Sequence, residues 1–428
     1  MHKLVGDDYF DLHLWDEVDH VCRAAVDFFL AASATEALHL CHGHALHAYF
    51  GERVFDFIEL ERFDDRFDLL HGLFLYGFSM RTQGDATAKA VMGNVGKDCF
   101  YGVSHPLMRG PTPVLRLDVP CAAAAEVWVK RDDLSAPLYG GNKVRKLEHI
   151  LSEASRLGKT RLVTIGAVGS HHVLATTLFG RAAGFDVDAV LVAQPRSEHV
   201  VIDIRATLNA GAQVRSSGSW AAVPWHVMRA MTREAYFIPP GGSNVAGALG
   251  YVGAVRELAV QVRAGELPEP DVIFVALGSG GTAAGIAVGL EIEQLKSRLV
   301  AVCVADPAWA TAAGARLLVR QTAKAAGLTS PTFALSHRLR VDASFLGRGY
   351  GYATPESTVA IAEAARHGLT LEDTYTGKTF AAALAHARTE GGQCVLYWNT
   401  LSSASFEPLL QGAPTEAELP PSIKRLLV

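Results

Sequence analysis

Close cysteine pairs, blocks of one charge and long uninterrupted apolar runs are all scarce in this chain of 428 residues. Its six cysteines, Cys22, Cys41, Cys99, Cys121, Cys303 and Cys394, are scattered without a close pair, which excludes a disulfide-stapled scaffold and fits free thiols in a reducing compartment. Only 19% of residues are charged and the formal net charge is -5, with no dense run of lysine and arginine. The chain therefore carries no electrostatic footprint for nucleic acid. No segment reads as apolar over the roughly 18 residues that a membrane span needs. The start, Met1-His2-Lys3-Leu4-Val5-Gly6-Asp7-Asp8, lacks the apolar core and cleavage site of a secretory signal. These absences predict a cytoplasmic protein that works on a small molecule rather than on nucleic acid or membrane.

Apolar residues are abundant, at 49%, enough for more than one core and for two or three structural units. Residues 1–104 are rich in histidine and aromatics and read as a mostly helical extension of unassigned role. Asp16 is a plausible N-cap there, and Val18, Val21, Cys22, Ala25, Val26 and Phe29 recur at helical spacing. Thr82 to Gly102 reads as a linker. In the run His39 to His47, His39 and His42, or His44 and His47, share a helix face, as transition-metal ligands would. Gly43 interrupts the run and no carboxylate joins it, so the reading is a metal-free helix end, and no metal site is expected in the chain.

From Gly110 onward short apolar strands alternate with amphipathic helices, the pattern of parallel sheets covered by helices on both faces in an α/β fold. Val127–Lys130, Arg161–Ile165, Ala189–Val192 and Asp271–Leu277 read as strands, and Val144–Arg156 as a helix.

Four motifs within this part carry chemistry. In Gly140-Gly141-Asn142-Lys143-Val144-Arg145-Lys146, a lysine held in a glycine turn opens a helix. Such an amine can capture an aldehyde only when neutral, so its ammonium must be desolvated or set near positive charge. Arg145 and Lys146 are expected to supply that charge. In Gly278-Ser279-Gly280-Gly281-Thr282, between a strand and a helix, backbone N–H groups and two hydroxyls converge as an anion cradle. Thr164 to His172 is a strand-to-helix turn carrying Ser170, His171 and His172. Asp373-Thr374-Tyr375-Thr376-Gly377-Lys378 places a phenol beside a hydroxyl.

In this order the motifs resemble those of the fold type II, tryptophan-synthase-β-like pyridoxal-phosphate enzymes, most closely the 1-aminocyclopropane-1-carboxylate deaminase and D-cysteine desulfhydrase family. The resemblance covers residues 105–428 and implies a two-lobed catalytic unit, with a smaller lobe of about 147–237 inserted in the larger, and a homodimer. It makes Lys143 the Schiff-base lysine and the residue that removes the substrate α-proton. Asn142, Lys146, Gly278, Ser279, Gly280, Gly281 and Thr282 become contacts to the cofactor, the last five to its phosphate. Ser170 falls where the family binds the substrate carboxylate or assists proton transfer. His171 replaces an asparagine that hydrogen-bonds the cofactor's phenolic oxygen. Tyr375 would act as acid or leaving-group contact, with Tyr350 or Tyr352 as a second tyrosine. Gly241-Gly242-Ser243-Asn244 matches a loop at the cofactor's edge. The family's Asp-Pro-Val-Tyr motif is met with one residue missing or shifted before the tyrosine.

Thr376 would face the pyridine nitrogen, and a hydroxyl there favours β-elimination over cyclopropane opening. The implied reaction removes an α-proton and a β-substituent from a small amino acid, releasing a 2-oxo acid and ammonia. β-Replacement, cyclopropane amino acid deamination and a cofactor-binding protein without turnover are the alternatives. Leu401-Ser402 stands where the family has a glycine pair and is expected to reshape the site.

Overall fold

The computed structural model describes residues 103–305, 308–328 and 338–428. The helix expected at Val18 to Phe29, the histidine run and the linker lie outside them.

Two sheets organise the described residues. The larger has six strands in the order β1 (Val114–Leu117), β2 (Glu126–Arg131), β10 (Cys394–Asn399), β7 (Val272–Leu277), β8 (Arg298–Cys303) and β9 (Leu339–Asp342). β1 pairs antiparallel with β2 and every other pairing is parallel. The second sheet is wholly parallel, in the order β5 (Gln213–Ser216), β4 (Asp186–Val192), β3 (Arg161–Ala167) and β6 (Ala235–Ile238). Strands such as Val-Ile-Phe-Val-Ala-Leu in β7 are buried along nearly their whole length, which is why they read as continuous apolar runs rather than alternating ones.

Helices cover both sheets. Those that bear on the site are α1 (Asn142–Arg156), α2 (His171–Ala182), α3 (Glu198–Asn209), α5 (Val245–Arg263), α6 (Gly281–Ile292) and α9 (Thr376–Thr389); α4 (Val223–Ala230), α7 (Ala308–Ala325) and α8 (Pro355–Arg366) complete the longer set. One helix departs from the expectation drawn from hydropathy: α5 is long and apolar enough to cross a membrane by length and composition. Its apolarity is that of a core helix. A side chain at Gly250 would meet the Arg145 carbonyl oxygen at 2.0 Å, and one at Gly285 of α6 would meet the Ala248 carbonyl at 2.2 Å. Small residues thus let α1, α5 and α6 pack backbone to backbone.

A buried ionic knot ties these elements together. Asp132, fully buried after β2, accepts two bonds from Arg145 of α1 and one each from Thr112, Tyr251 of α5 and Trp398 of β10. Glu257 of α5 adds a second carboxylate to Arg145 and to Lys130.

Parallel strands end on the same side of their sheet, and ligands bind open α/β sheets at that edge. Ser170 follows β3, Gly241 follows β6, Gly278 follows β7 and Thr400 follows β10, so these four segments occupy carboxyl ends of parallel strands, while the Lys143 turn opens α1 and the Tyr375 turn opens α9.

Candidate active site

The lysine turn is fixed from beneath by the segment after β10. Gly141 has φ +87°, and a side chain there would lie 2.7 Å from the Thr400 carbonyl oxygen. Asn142 N–H donates to that same carbonyl at 3.0 Å. The Ser402 hydroxyl accepts from Gly140 N–H at 2.8 Å. Leu401 and Ser402, expected to reshape the site, are buried, and Ser402 holds the turn that presents Lys143.

Burial pushes the Lys143 amine down to about 8. The expected contribution of Arg145 is corrected by the geometry: its guanidinium turns into the Asp132–Glu257 knot, where two carboxylates neutralise it. Desolvation, not neighbouring positive charge, prepares Lys143. In cofactor-free protein the rate of aldehyde capture is therefore expected to rise with pH through a midpoint near 8, because the neutral amine accumulates above that value. Stopped-flow absorbance checks this; a midpoint near about 10, the ordinary range of an exposed lysine, would contradict it.

Lys146 lies one turn further along α1. It is buried, and its ammonium donates to the Gly241 carbonyl at 3.0 Å and to the Ser243 hydroxyl at 3.4 Å. Among the described residues no ion pair to a carboxylate is formed by it. Burial, then the charge of Lys143, holds its pKa well below the ordinary lysine range. A buried amine with this many hydroxyl and carbonyl neighbours but no carboxylate is suited to an anionic ligand.

The anion cradle lies next to it. Gly280, at φ +88°, turns the chain into α6, whose N-terminus carries a positive partial charge. Ser243 Oγ lies 2.7 Å from Ser279 Oγ and accepts from Gly281 N–H at 3.0 Å, and Asn142 Nδ2 donates to Thr282 Oγ1 at 3.0 Å. A side chain at Gly281 would stand 2.9 Å from Lys146 Nζ and 2.7 Å from Ser243 Oγ. Gly281→Ala is thus expected to weaken phosphorylated-aldehyde binding by about 10- to 100-fold, the equivalent of one or two lost hydrogen bonds to a charged group. Equilibrium titration of the cofactor, with circular dichroism as a folding control, measures it.

Across the site, the Tyr375 ring packs on Gly278, 3.0 Å from where a Cβ would be, and its hydroxyl donates to Tyr350 at 2.8 Å. Burial pushes both phenols up, Tyr350 to about 12, so both keep their protons at neutral pH. Tyr352, the competing residue, is exposed with Arg348 over its ring at 4.6 Å. Thr376 is buried; its hydroxyl accepts from Glu372 N–H and donates to Glu372 Oε1 at 3.1 Å. Glu372 also accepts from the N–H groups of Thr374, Tyr375 and Thr376. Glu372, rather than Asp373, is the carboxylate that shapes this turn.

Ser170 caps α2, its hydroxyl accepting from Val173 N–H at 3.4 Å. His172 is buried between Thr164 and Thr176 and is a packing residue. His171 has both ring nitrogens engaged, Nδ1 with the Tyr139 hydroxyl at 2.6 Å and Nε2 with His199 at 2.8 Å. To serve a cofactor oxygen it must exchange one of these bonds. Tyr139, His199, Asp203, Ser243 and Glu372 were not identified as site residues from the sequence. His199 and Asp203 are spaced i, i+4 on α3, a signal present in the sequence, but only the β3–α2–β4–α3 path brings them to His171.

These residues fit pyridoxal phosphate: a desolvated amine, a glycine cradle that a Cβ would fill, and a buried cation beside it. A family model described as pyridoxal-phosphate dependent enzyme matches residues 106–400. The chain is 32% identical to a D-cysteine desulfhydrase of Yersinia pestis (strain Pestoides F) over 270 residues, 60% of this chain and 80% of that one. It is 31% identical to a nocardicin C-9' epimerase of Nocardia uniformis subsp. tsuyamanensis over 325 residues, 73% of this chain and 96% of that one. A crystal structure of an ACC deaminase homologue superposes with a TM-score of 0.59 at 29% identity, covering 71% of this chain and 94% of that chain.

Proposed function

The chain belongs to the pyridoxal-phosphate dependent enzymes, as an amino acid lyase or deaminase whose cofactor is pyridoxal phosphate, and we propose that its reaction is β-elimination from a small amino acid, releasing a 2-oxo acid and ammonia. The observation that carries this reading is the Tyr375–Tyr350 pair. Two phenols joined at 2.8 Å, that of Tyr375 packed on Gly278, form a proton donor placed to accompany a departing β-substituent.

When bound, the cofactor supplies an electron sink that stabilises negative charge at the substrate α-carbon. Lys143, largely neutral above pH 8, takes the α-proton on Nζ. Lys146, Ser279, Thr282 and the N–H groups of Gly278 to Gly281 hold the phosphate, and Asn142 orients Thr282. Ser170, at the N-terminus of α2, binds the substrate carboxylate, where a hydroxyl and the helix dipole act together. Thr376 offers the pyridine nitrogen a hydroxyl rather than a carboxylate, which favours elimination over cyclopropane opening; its proton, donated to Glu372 Oε1, must turn away from that carboxylate to serve the nitrogen. We also read residues 105–428 as the catalytic unit, with a smaller lobe of about 147–237, and residues 1–104 as an extension of it; the active assembly is a homodimer.

Incubating the cofactor-loaded protein with the D and L forms of cysteine and β-chloroalanine, and with 1-aminocyclopropane-1-carboxylate, tests the proposal. Equal yields of pyruvate and ammonia from one enantiomer of the β-substituted pair support it. Product from the cyclopropane substrate alone would overturn it. A second reading, epimerisation, is favoured by the likeness to the nocardicin epimerase along 96% of that protein. It shares the α-proton step, and solvent-deuterium incorporation at the α-carbon without 2-oxo acid would select it.

A further inference from the structure

We propose that His171, His199 and Asp203 bind one divalent transition-metal ion of the zinc or cobalt class. Each contributes one ligand atom, and these atoms lie within 4.8 Å of one another. His171 opens α2, while His199 and Asp203 stand one turn apart on α3 and face it.

The carboxylate carries the argument. The Asp203 side chain is 0% exposed, and neither of its oxygens has a hydrogen-bond partner. Its Oδ2 lies 3.4 Å from His171 Nδ1 and 3.4 Å from His199 Nε2, without hydrogen-bond geometry to either. Buried carboxylates are normally paired, hydrogen-bonded or bound to metal. Here the two imidazoles bond to each other and to Tyr139, and the carboxylate beside them is left without a donor.

The rest of the geometry agrees. His171 Nδ1 is held by the Tyr139 hydroxyl at 2.6 Å, which leaves Nε2 toward His199 Nε2 at 2.8 Å. Ligating histidines are commonly fixed through their second nitrogen in this way. Phe406 packs edge-on against both the Tyr139 and His199 rings, at 6.0 and 5.8 Å. Tetrahedral metal–ligand bonds of about 2.0–2.2 Å set donor atoms roughly 3.3–3.5 Å apart; the 3.4 Å between Asp203 Oδ2 and His199 Nε2 already meets this, and the 2.8 Å between the two Nε2 atoms must open by about half an ångström. Two imidazoles and one carboxylate suit zinc, cobalt or ferrous iron better than calcium or magnesium. Three protein ligands leave a coordination position open. Because His171 directly follows Ser170, that position adjoins the place assigned to the substrate carboxylate, and in this one respect the inference rests on the proposed function.

The test uses the full-length chain, stripped with a chelator and titrated with Co2+ by visible absorbance and with Zn2+ by calorimetry. One site per chain is expected, with affinity falling at least tenfold in both His199→Gln and Asp203→Asn. It should persist when His39, His42, His44 and His47 are all replaced by alanine. Absence of a stoichiometric site, affinity indifferent to His199→Gln, or affinity lost with the four-histidine replacement would each overturn the proposal. If Asp203→Asn does not fold, His199→Gln decides alone, since that side chain is 38% exposed. Repeating the titration in Lys143→Ala separates the two readings, because metal binding is expected there even if the cofactor chemistry fails.

Discussion

Lys143→Ala is expected to lower turnover by at least about 10³-fold, the range lost when a general base is removed, and to eliminate the visible absorbance of the bound cofactor. The neighbours of Lys143 are already engaged elsewhere. Arg145 is consumed by Asp132 and Glu257. Lys146 is also buried, with its pKa held well below the ordinary lysine range, so burial alone does not single out Lys143. Position decides against Lys146: its ammonium is tied to Gly241 and Ser243, beside the glycine cradle, where an amine meets a phosphate rather than an aldehyde. Among the described residues no second lysine is placed to substitute, so the loss should be deep and unrescued by pH. Residual activity within about tenfold of the parent would show that the catalytic base lies elsewhere. Circular dichroism separates this outcome from misfolding.

Asp132→Ala carries the largest expected effect on stability, about 3–5 kcal/mol, as when one partner of a buried ion pair is removed. Five donors converge on this carboxylate, from Thr112, twice from Arg145, and from Tyr251 and Trp398, and truncation leaves them facing a cavity. Arg145 keeps Glu257, which limits the cost, but Tyr251 and Trp398 lose the only donations given for their polar atoms. Denaturant unfolding measures the loss. Glu416→Ala, which removes an exposed pair with Arg196, should leave the midpoint nearly unchanged and serves as the control. Equal effects for the two would mean that the knot is not what fastens α1, α5 and β10. Because α1 also carries Lys143, Asp132→Ala should weaken cofactor binding as well.

Four of the ten described strands, β2, β3, β4 and β7, were legible because parallel strands buried on both faces leave continuous apolar runs, and β7 and β3 begin within a residue of where composition places them. The lysine turn and the glycine loop stood out in the sequence because positive φ at Gly141 and Gly280 demands glycine there, while the roles given to Lys143, the loop and the tyrosine turn came from the resemblance. Contacts set by tertiary path alone were not. Glu372 looked like an ordinary polar residue before a turn, yet it caps three N–H groups and fixes the Thr376 hydroxyl. Arg145 looked like a source of positive charge for Lys143, whereas its partners come from residues 13 and 112 positions away. Asp203 gave no sign of burial, since its place beneath two histidines depends on how α2 and α3 pack. No apolar segment of spanning length was expected from the sequence, whereas α5 is one by length and composition; that composition reflects close packing between α1 and α6.

The most direct test of the central claim is to fix the cofactor covalently with borohydride, digest the protein and locate the modified lysine by mass spectrometry. The account predicts the cofactor's mass on Lys143 alone; attachment to Lys146 or to any other lysine, or no attachment to a protein that binds the cofactor, would contradict it.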